Sequence, residues 1–253
     1  MNNVRSKFVL GVPFSDCRFS DVLEGIHARV LDRSRGYISI TNTETLYHAT
    51  RIPALFHYIN QSDFSCCDGV AIALCARLRG IRIPMLHGPD LMSEACRFGI
   101  DKGWRHYFYG GKAEVPSLLC DNLVQKFRGL AIAGTYSPPF RSVGGLEDAS
   151  VVQQINDAKP DIIWVGLGLL KQSRWIEDHR NVLEAPMIIG VGAAFDFLAG
   201  TIRRAPEIFQ KLGLEWFYRL CFEPRMLVRN WMSLVIALEL VFQMGSLEAP
   251  RQR

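Results

Sequence analysis

Two adjacent cysteines and an aspartate stand together in residues 65–70, which read SCCDGV. These residue types allow three kinds of chemistry: a thiol nucleophile, a metal site or a carboxylate base. Cys66 and Cys67 cannot both face one site from a strand, because adjacent side chains of a strand point to opposite faces. The sequence identifies no base that would activate a thiol. We therefore expect both cysteines to be buried packing residues.

Asp68 ends the same apolar run and is followed by a glycine. A carboxylate at the carboxyl end of a strand projects into the region where α/β enzymes bind ligands, and there it can act as a general base. Aspartate is also a favoured N-cap residue, and a helical pattern follows over residues 70–79. Position alone therefore leaves two roles open for Asp68, a catalytic carboxylate or a helix cap.

Metal-binding patterns are absent from the sequence. The six histidines and seven cysteines form no H-x-x-x-H or C-x-x-C motif, so no metal and no cofactor are expected. The odd number of cysteines and the short apolar run at the N-terminus indicate a reducing, cytoplasmic compartment. The net charge of +4 is too small to indicate a nucleic-acid partner.

Short β-type runs alternate along the chain with helical patterns. Strands are predicted over residues 7–12, 36–41, 63–67, 106–109, 130–135, 162–166 and 187–191. Helices are predicted over residues 21–31, 44–58, 70–79, 89–98, 114–127, 147–158, 172–179 and 206–212. This alternation predicts an α/β fold with a Rossmann-like, mostly parallel sheet and helices on both faces.

Two regions of the chain differ in composition. Residues 1–200 form the predicted α/β body, and residues 101–103 are a candidate boundary between two halves of it. Residues 201–253 form a predicted helical C-terminal appendage that is basic and apolar. Its apolar run, residues 231–244, is shorter than the roughly 20 residues of a membrane-spanning helix and contains Glu239. A buried helix and a membrane-surface helix both remain open.

Three glycine-rich segments follow predicted strands: YGGK at residues 109–112, VGLGLLKQ at 165–172 and GVGAAFDFLAG at 190–200. Backbone N–H groups in such turns can approach a phosphate at a helix N-terminus. The segments contain neither a Walker A loop nor a complete dinucleotide fingerprint. Each is alternatively a tight strand–helix turn, but three of them on one sheet edge favour a ligand with phosphates.

Arginines and aromatic residues are mixed in residues 201–230. Arg225 and Arg229 are one helical turn apart, and Arg219 precedes them. The guanidinium group suits bidentate binding of phosphate oxygens. The alternative is a solvated basic face.

These motifs together resemble the bacterial WecG/TagA/CpsF glycosyltransferase family over most of the chain, from about residue 36 to about residue 231. Residues 190–230 resemble the family motif G-V-G-x-x-F-D-x-x-A-G…R-A-P…G-L-E-W-x-x-R-L…E-P-x-R-x-x-R. Residues 159–175 resemble its P-D-x-x-x-V-G-L-G-x-P-K-Q-E-x-W motif. CCDGVAI at residues 66–72 resembles its P-D-G segment, and ITNTETLYHA at 40–49 its T-x-N-x-E segment.

The resemblance implies an inverting, metal-independent transfer of a hexose-type sugar from a UDP-sugar. The acceptor would be a polyprenyl-diphosphate-linked sugar in surface-polysaccharide synthesis, at the inner face of the cytoplasmic membrane. It also implies peripheral membrane attachment and allows a homo-oligomer. The alternatives are a non-catalytic UDP-sugar-binding or membrane scaffold protein and a Rossmann-type nucleotide-dependent oxidoreductase.

The resemblance also assigns roles to residues. Asp68 matches the general base, Asn42 and Gln172 match polar residues of the binding pocket, and Arg219, Arg225 and Arg229 match arginines that hold a diphosphate. The rest of the expected donor- and acceptor-binding set is Thr41, Gly110, Gly111, Gly192 and Asp196.

Four residues depart from the family motifs. Ile40 replaces a threonine, Met85 a frequent arginine, and Leu170 and Ser173 the proline and glutamate of P-K-Q-E. They bear on the donor-side contacts. Because family members transfer N-acetylmannosamine, its uronic acid or glucose, the sugar stays open.

Overall fold

A computed structural model describes residues 5–139, 149–202, 205–206, 209, 218 and 226–242, with side chains in the last range only for residues 231–239. The strands are β1 (Ser6–Val9), β2 (Val12–Ser15), β3 (Gly36–Thr41), β4 (Phe64–Cys67), β5 (Arg105–Gly110), β6 (Ala131–Tyr136), β7 (Ile162–Gly166) and β8 (Met187–Gly190). The helices are α1 (Phe19–Asp32), α2 (Thr43–Ala49), α3 (Pro53–Asn60), α4 (Val70–Leu78), α5 (Gly88–Gly99), α6 (Val115–Lys126), α7 (Ala149–Asp157), α8 (Leu169–His179), α9 (Ala194–Leu198) and α10 (Met226–Phe242).

Six strands form one sheet in the order β4-β3-β8-β7-β5-β6, and every neighbouring pair is parallel. Side chains alternate between its faces: Tyr37 and Ile38 of β3 belong to different apolar clusters. One cluster is covered by α1, α5, α6 and α9, and the other by α2, α3, α4, α7, α8 and α10. The predicted α/β fold, with helices on both faces and a C-terminal helix, is confirmed.

The predicted strand over residues 7–12 is wrong. The chain forms an antiparallel hairpin of β1 and β2 instead, separate from the parallel sheet. Leu10 and Gly11 make the turn with φ values of 51° and 77°. Positive φ at both central residues matches the twist of two-residue hairpins, and the apolar residues of the turn hid it from a hydrophobicity pattern.

The single helix predicted over residues 44–58 is also wrong, because the chain forms two helices. Ile52 is extended, with φ −119° and ψ 101°, and Pro53 opens α3. The proline ring disfavours helical geometry in the residue before it, so α2 ends upstream.

Two further predictions concern the organisation of the chain. The helix predicted over residues 206–212 lies outside the described residues except for 206 and 209. Residues 101–103 are a turn between α5 and β5, and strands from both sides of it join the parallel sheet. The division into two halves and an appendage stays a prediction.

Helix α10 packs against α2 and α4. Ile236 is fully buried there, and Glu239, the charge inside the apolar run, pairs with Arg51. The Arg51 guanidinium also lies 3.8 Å from the centre of the Tyr47 ring. The helix is thus anchored to the body through one face. Within the described ranges no helix is long and apolar enough to cross a membrane.

Candidate active site

The carboxyl ends of the parallel strands lie in register along one edge of the sheet. Thr41 of β3 pairs with Cys67 of β4, and Gly110 of β5 pairs with Gly166 of β7. The adjacent strands β3 and β8 lead to α2 and α9, which cover opposite faces. Connections that leave to opposite faces open a crevice at this edge, where ligands bind in such sheets. The chain segments that carry the predicted site residues begin here.

Asp68 follows β4 directly at this edge. Its backbone N–H donates to the carbonyl oxygen of Thr41 at 3.0 Å, which holds it beside the end of β3. Gly69, not Asp68, is the N-cap residue of α4, and as a glycine it has no side chain with which to cap the helix. The cap role that the sequence left open is therefore not used. About a quarter of the Asp68 side chain (26%) is exposed.

His87 contacts the Asp68 carboxylate, and the sequence patterns did not single it out. Its Nδ1 atom lies against Oδ1 of Asp68. Residues before it run beside the end of β4: Met85 forms a parallel bridge with Cys67, and the Leu86 N–H donates to the Cys67 carbonyl oxygen at 2.8 Å. The available signal was a polar residue between a short extended run and the Gly-Pro start of α5.

Asn42 caps α2. Its Oδ1 atom accepts hydrogen bonds from the Thr45 backbone N–H at 2.9 Å and the Thr45 hydroxyl at 3.0 Å. The amide nitrogen, with two N–H donors, is the part of the side chain suited to a ligand. Thr41 is fully buried, and its hydroxyl lies 3.3 Å from that of Ser39. A binding role for either residue stays a prediction.

Gln172 ties α8 to the loop that follows β8. Its Oε1 atom accepts from the Gly192 N–H at 3.0 Å, and the side chain is nearly buried. A Cβ atom at Gly190 would lie 3.0 Å from Nε2 of Gln172, so the glycine allows this close approach. The structure thus brings the predicted residues Gln172 and Gly192 together at the crevice.

The Gly110–Gly111 turn packs on the end of β7. Both glycines have positive φ, and a Cβ atom on Gly110 would lie 2.6 Å from the Gly166 carbonyl oxygen. The Gly111 N–H donates to that same oxygen at 2.9 Å. This N–H is therefore engaged within the protein, and the turn is at least a structural one.

Asp196 lies in the first turn of α9, where its Oδ1 accepts from the Thr201 hydroxyl at 3.2 Å. It therefore braces the following turn. Arg219 and Arg225 lie outside the described residues. Arg229 lies in α10, but its side chain is outside them as well. Their predicted diphosphate contacts stay predictions.

The cysteines beside Asp68 are buried, as predicted. Cys66 and Cys67 are 0% and 1% exposed. A hydrogen bond with Cys17, followed by burial, holds the pKa of the Cys66 thiol well above its usual range. Burial raises the pKa of the Cys67 thiol to about 12. Both thiols are therefore protonated near neutral pH and are poor nucleophiles.

Metal ligands do not gather at the edge or elsewhere in the described ranges. No three histidine, cysteine, aspartate or glutamate side chains there lie close enough together to hold an ion. The Asp68–His87 pair supplies two such groups, which falls short of the three or four protein ligands of a resident zinc site.

Comparisons with known proteins place the chain. The profile of the Glycosyl transferase WecG/TagA/CpsF family matches residues 8–249. Two similar curated proteins, from Staphylococcus aureus strains NCTC 8325 / PS 47 and COL, are each named N-acetylglucosaminyldiphosphoundecaprenol N-acetyl-beta-D-mannosaminyltransferase. Each is 30% identical over 223 residues, which cover 86% of this chain and 85% of the relative. The chain belongs to the WecG/TagA/CpsF family and is a glycosyltransferase.

Proposed function

We propose that the protein transfers a hexose-type sugar from a UDP-sugar to a polyprenyl-diphosphate-linked sugar, with inversion and without a metal. The observation that carries the proposal is the Asp68 carboxylate, which stands partly exposed at the carboxyl edge of the sheet and is not used as a helix cap. The names of the S. aureus relatives specify an N-acetylglucosaminyldiphosphoundecaprenol acceptor and the transfer of an N-acetylmannosaminyl group. They support a lipid-diphosphate-linked sugar as the acceptor class.

In the proposed reaction Asp68 acts as general base. It takes the proton from an acceptor hydroxyl while that oxygen forms a bond to the anomeric carbon of the donor sugar. The bond from the anomeric carbon to the diphosphate breaks on the opposite side, and UDP leaves with the electron pair. A single displacement of this kind inverts the anomeric configuration and needs one carboxylate.

The leaving diphosphate needs positive charge or N–H donors, since negative charge develops on it in the transition state. Arg219, Arg225 and Arg229 are proposed to supply that charge, as the family motif implies. Glycine at position 192 leaves no side chain between the backbone of its loop and a ligand, although its own N–H donates to Gln172. Gln172 holds the Gly192 loop in place through its 3.0 Å hydrogen bond.

A groove of about 490 Å³ between α4 and residues 80–85 suits the acceptor lipid. Its walls include Val70, Leu74 and Ile81, and Arg77 and Arg82 line it as well. Apolar walls beside two cations match an isoprenoid chain with a diphosphate. The groove reaches the catalytic edge, because Met85 lines it and forms a bridge with Cys67.

We also propose peripheral attachment to the inner face of the cell membrane through α10. Trp231, Leu234 and Leu238 of this helix are 64%, 51% and 46% exposed, and their spacing places them on one side. The opposite side packs on the body through Ile236. A helix anchored by one face and apolar on the other is suited to lie at a membrane surface.

Measurement of UDP release with a panel of UDP-sugars and a lipid-linked N-acetylglucosamine acceptor tests the function. Mass spectrometry identifies the product, NMR gives its anomeric configuration, and assays with and without EDTA test the need for a metal. Asp68→Asn should lower kcat by about 10²- to 10⁴-fold and keep the affinity for UDP. If the wild type binds UDP but transfers no sugar to any such acceptor, the scaffold alternative replaces this proposal.

A further inference from the structure

The contact between Asp68 and His87 is built by the backbone on both sides. Asp68 is fixed by its N–H bond to the Thr41 carbonyl oxygen at 3.0 Å. The chain that leads to His87 is fixed by the bridge between Met85 and Cys67. His87 itself occupies the N-cap position of α5 with extended backbone. The two side chains are therefore held opposite each other by the end of β4.

The chemistry of the two groups sets the direction of their hydrogen bond. A general base must be ionised and an ionised carboxylate only accepts, so the proposed role of Asp68 requires Nδ1 of His87 to carry the proton and donate it to Oδ1 of Asp68. A carboxylate has two oxygens, and the bond to His87 occupies one of them. The Asp68 side chain remains 26% exposed and that of His87 29% exposed, so the pair is open to the edge where ligands bind.

Without this contact the Asp68 carboxylate could turn towards the N-terminus of α4. Asp68 immediately precedes Gly69, the N-cap residue of α4, which has no side chain to cap the helix. The first N–H groups of a helix lack partners within it and attract a carboxylate. A carboxylate of Asp68 that turned towards them would have its oxygens bound by N–H groups and not by a substrate.

We propose that His87 is a positioning residue for the glycosyl transfer: it holds Asp68 away from the N-terminus of α4 and presents the second carboxylate oxygen to the acceptor hydroxyl. This role rests on the proposed function of Asp68 as general base. His87 contributes through the orientation of Asp68 and not through contact with the sugar.

Steady-state kinetics of a small set of variants tests the role. His87→Ala should lower kcat by about 10- to 100-fold and leave the KM for the UDP-sugar within about twofold, since donor binding does not use the carboxylate. His87→Asn should recover most of the rate, because its amide N–H can replace Nδ1–H. His57→Ala, which removes an exposed imidazole on α3, is the matched control and should keep the wild-type rate.

A double-mutant cycle separates positioning from a general effect on the fold. If His87 acts through Asp68, His87→Ala in the Asp68→Asn background should cost nothing further. The role of His87 would be overturned if the loss of kcat in the double variant equalled the product of the losses in the two single variants. It would also be overturned if His87→Asn were as slow as His87→Ala while its thermal unfolding midpoint was unchanged.

Nitrogen-15 NMR of the labelled imidazole gives a readout that does not need turnover. His87 should carry its proton on Nδ1 in the wild type and lose that preference in Asp68→Ala, which removes the accepting oxygen. A wild type that transfers no sugar overturns the proposed function. If the wild type is active, the positioning role alone is overturned by either of two results: His87→Ala has the wild-type kcat, or His87 of the wild type lacks the proton on Nδ1.

Discussion

The side chain of Asn42 is divided between two tasks. Its oxygen is committed to the Thr45 N–H and hydroxyl at the start of α2, and its amide nitrogen stands at the carboxyl end of β3. A residue that is matched by a family motif can therefore be required by the fold, by the ligand or by both. Substitutions that remove either the whole amide or only its N–H donors can distinguish these roles.

Asn42→Ala removes the cap and should lower the free energy of unfolding by about 1 kcal/mol. Asn42→Asp keeps an acceptor for Thr45 and should keep most of that stability, but it has no N–H donor. If the amide binds the UDP-sugar or the acceptor substrate, the Asn42→Asp variant should be folded but poorly active. Chemical denaturation and UDP-release kinetics measure the two effects, and an Asn42→Asp enzyme with wild-type kinetics would limit Asn42 to the cap.

The contrast between Asp68 and His87 shows what the sequence could predict of the site. Asp68 stands at a strand end before a glycine, a local pattern that a reader can recognise. The partner of Asp68 lies 19 residues further on. The contact between Asp68 and His87 depends on a bridge between Met85 and Cys67, and no hydrophobic periodicity in residues 81–87 predicts that bridge. Local patterns predict which residue projects from a strand, but not which loop returns to it.

The same distinction holds for the secondary-structure elements. Five strands of the parallel sheet are largely buried and read as apolar runs, and the partly exposed edge strand β6 keeps a β-type run, so the sequence predicts each close to its observed position. The hairpin and the break before Pro53 were missed because a two-residue turn and one extended residue interrupt an otherwise continuous pattern. The strand order was not predicted, because it depends on contacts between distant segments.

Strand β5 carries a buried histidine that links the fold to pH. His106 is fully buried and accepts a hydrogen bond from the indole N–H of Trp164 at 3.1 Å. Burial lowers the pKa of His106 from 6.5 to about 4. Below pH 6.5 the unfolded chain binds a proton that the folded chain does not bind until about pH 4. The stabilisation is therefore complete above pH 6.5 and is lost as the pH falls towards 4.

Wild-type protein should accordingly lose about 2 kcal/mol of unfolding free energy between pH 7 and pH 5 through this one residue. His106→Asn places an amide oxygen near the position of Nδ1 and cannot take up a proton in this range. The variant should be less stable at pH 7, but its loss from pH 7 to pH 5 should be smaller by about that amount. Urea denaturation at the two pH values measures the difference, and equal pH dependence in both proteins would contradict the assignment.

At the scale of the molecule, α10 lies on the same side of the sheet as α4. It is joined to the turn that follows α2 by the Arg51–Glu239 ion pair. Leu74 and Leu78 of α4 are themselves 56% and 76% exposed. The helix that begins beside Asp68 and the helix anchored on it thus both present leucines to the solvent. In the proposed membrane attachment, the leucines of α4 would extend the apolar surface that α10 presents.

The apolar side of α10 can be tested in the full-length protein. Replacing Trp231, Leu234 and Leu238 together by glutamate should lower binding to anionic vesicles by about 10-fold or more, because it removes the apolar contact and adds repelled charge. The thermal unfolding midpoint should change little, since all three side chains are exposed while Ile236 and Glu239 keep the helix in place. Co-sedimentation with vesicles measures the binding.

A matched control replaces Leu118 and Val124 of α6, which are 42% and 47% exposed on the opposite side of the sheet, and should bind vesicles as the wild type does. Light scattering of the same proteins reports their oligomeric state. A triple variant that keeps vesicle binding but loses self-association would assign the apolar side of α10 to contact between copies of the chain. Truncation after Arg229 should abolish binding too, although it also removes the buried contact of Ile236, so the full-length variants decide between the two surfaces.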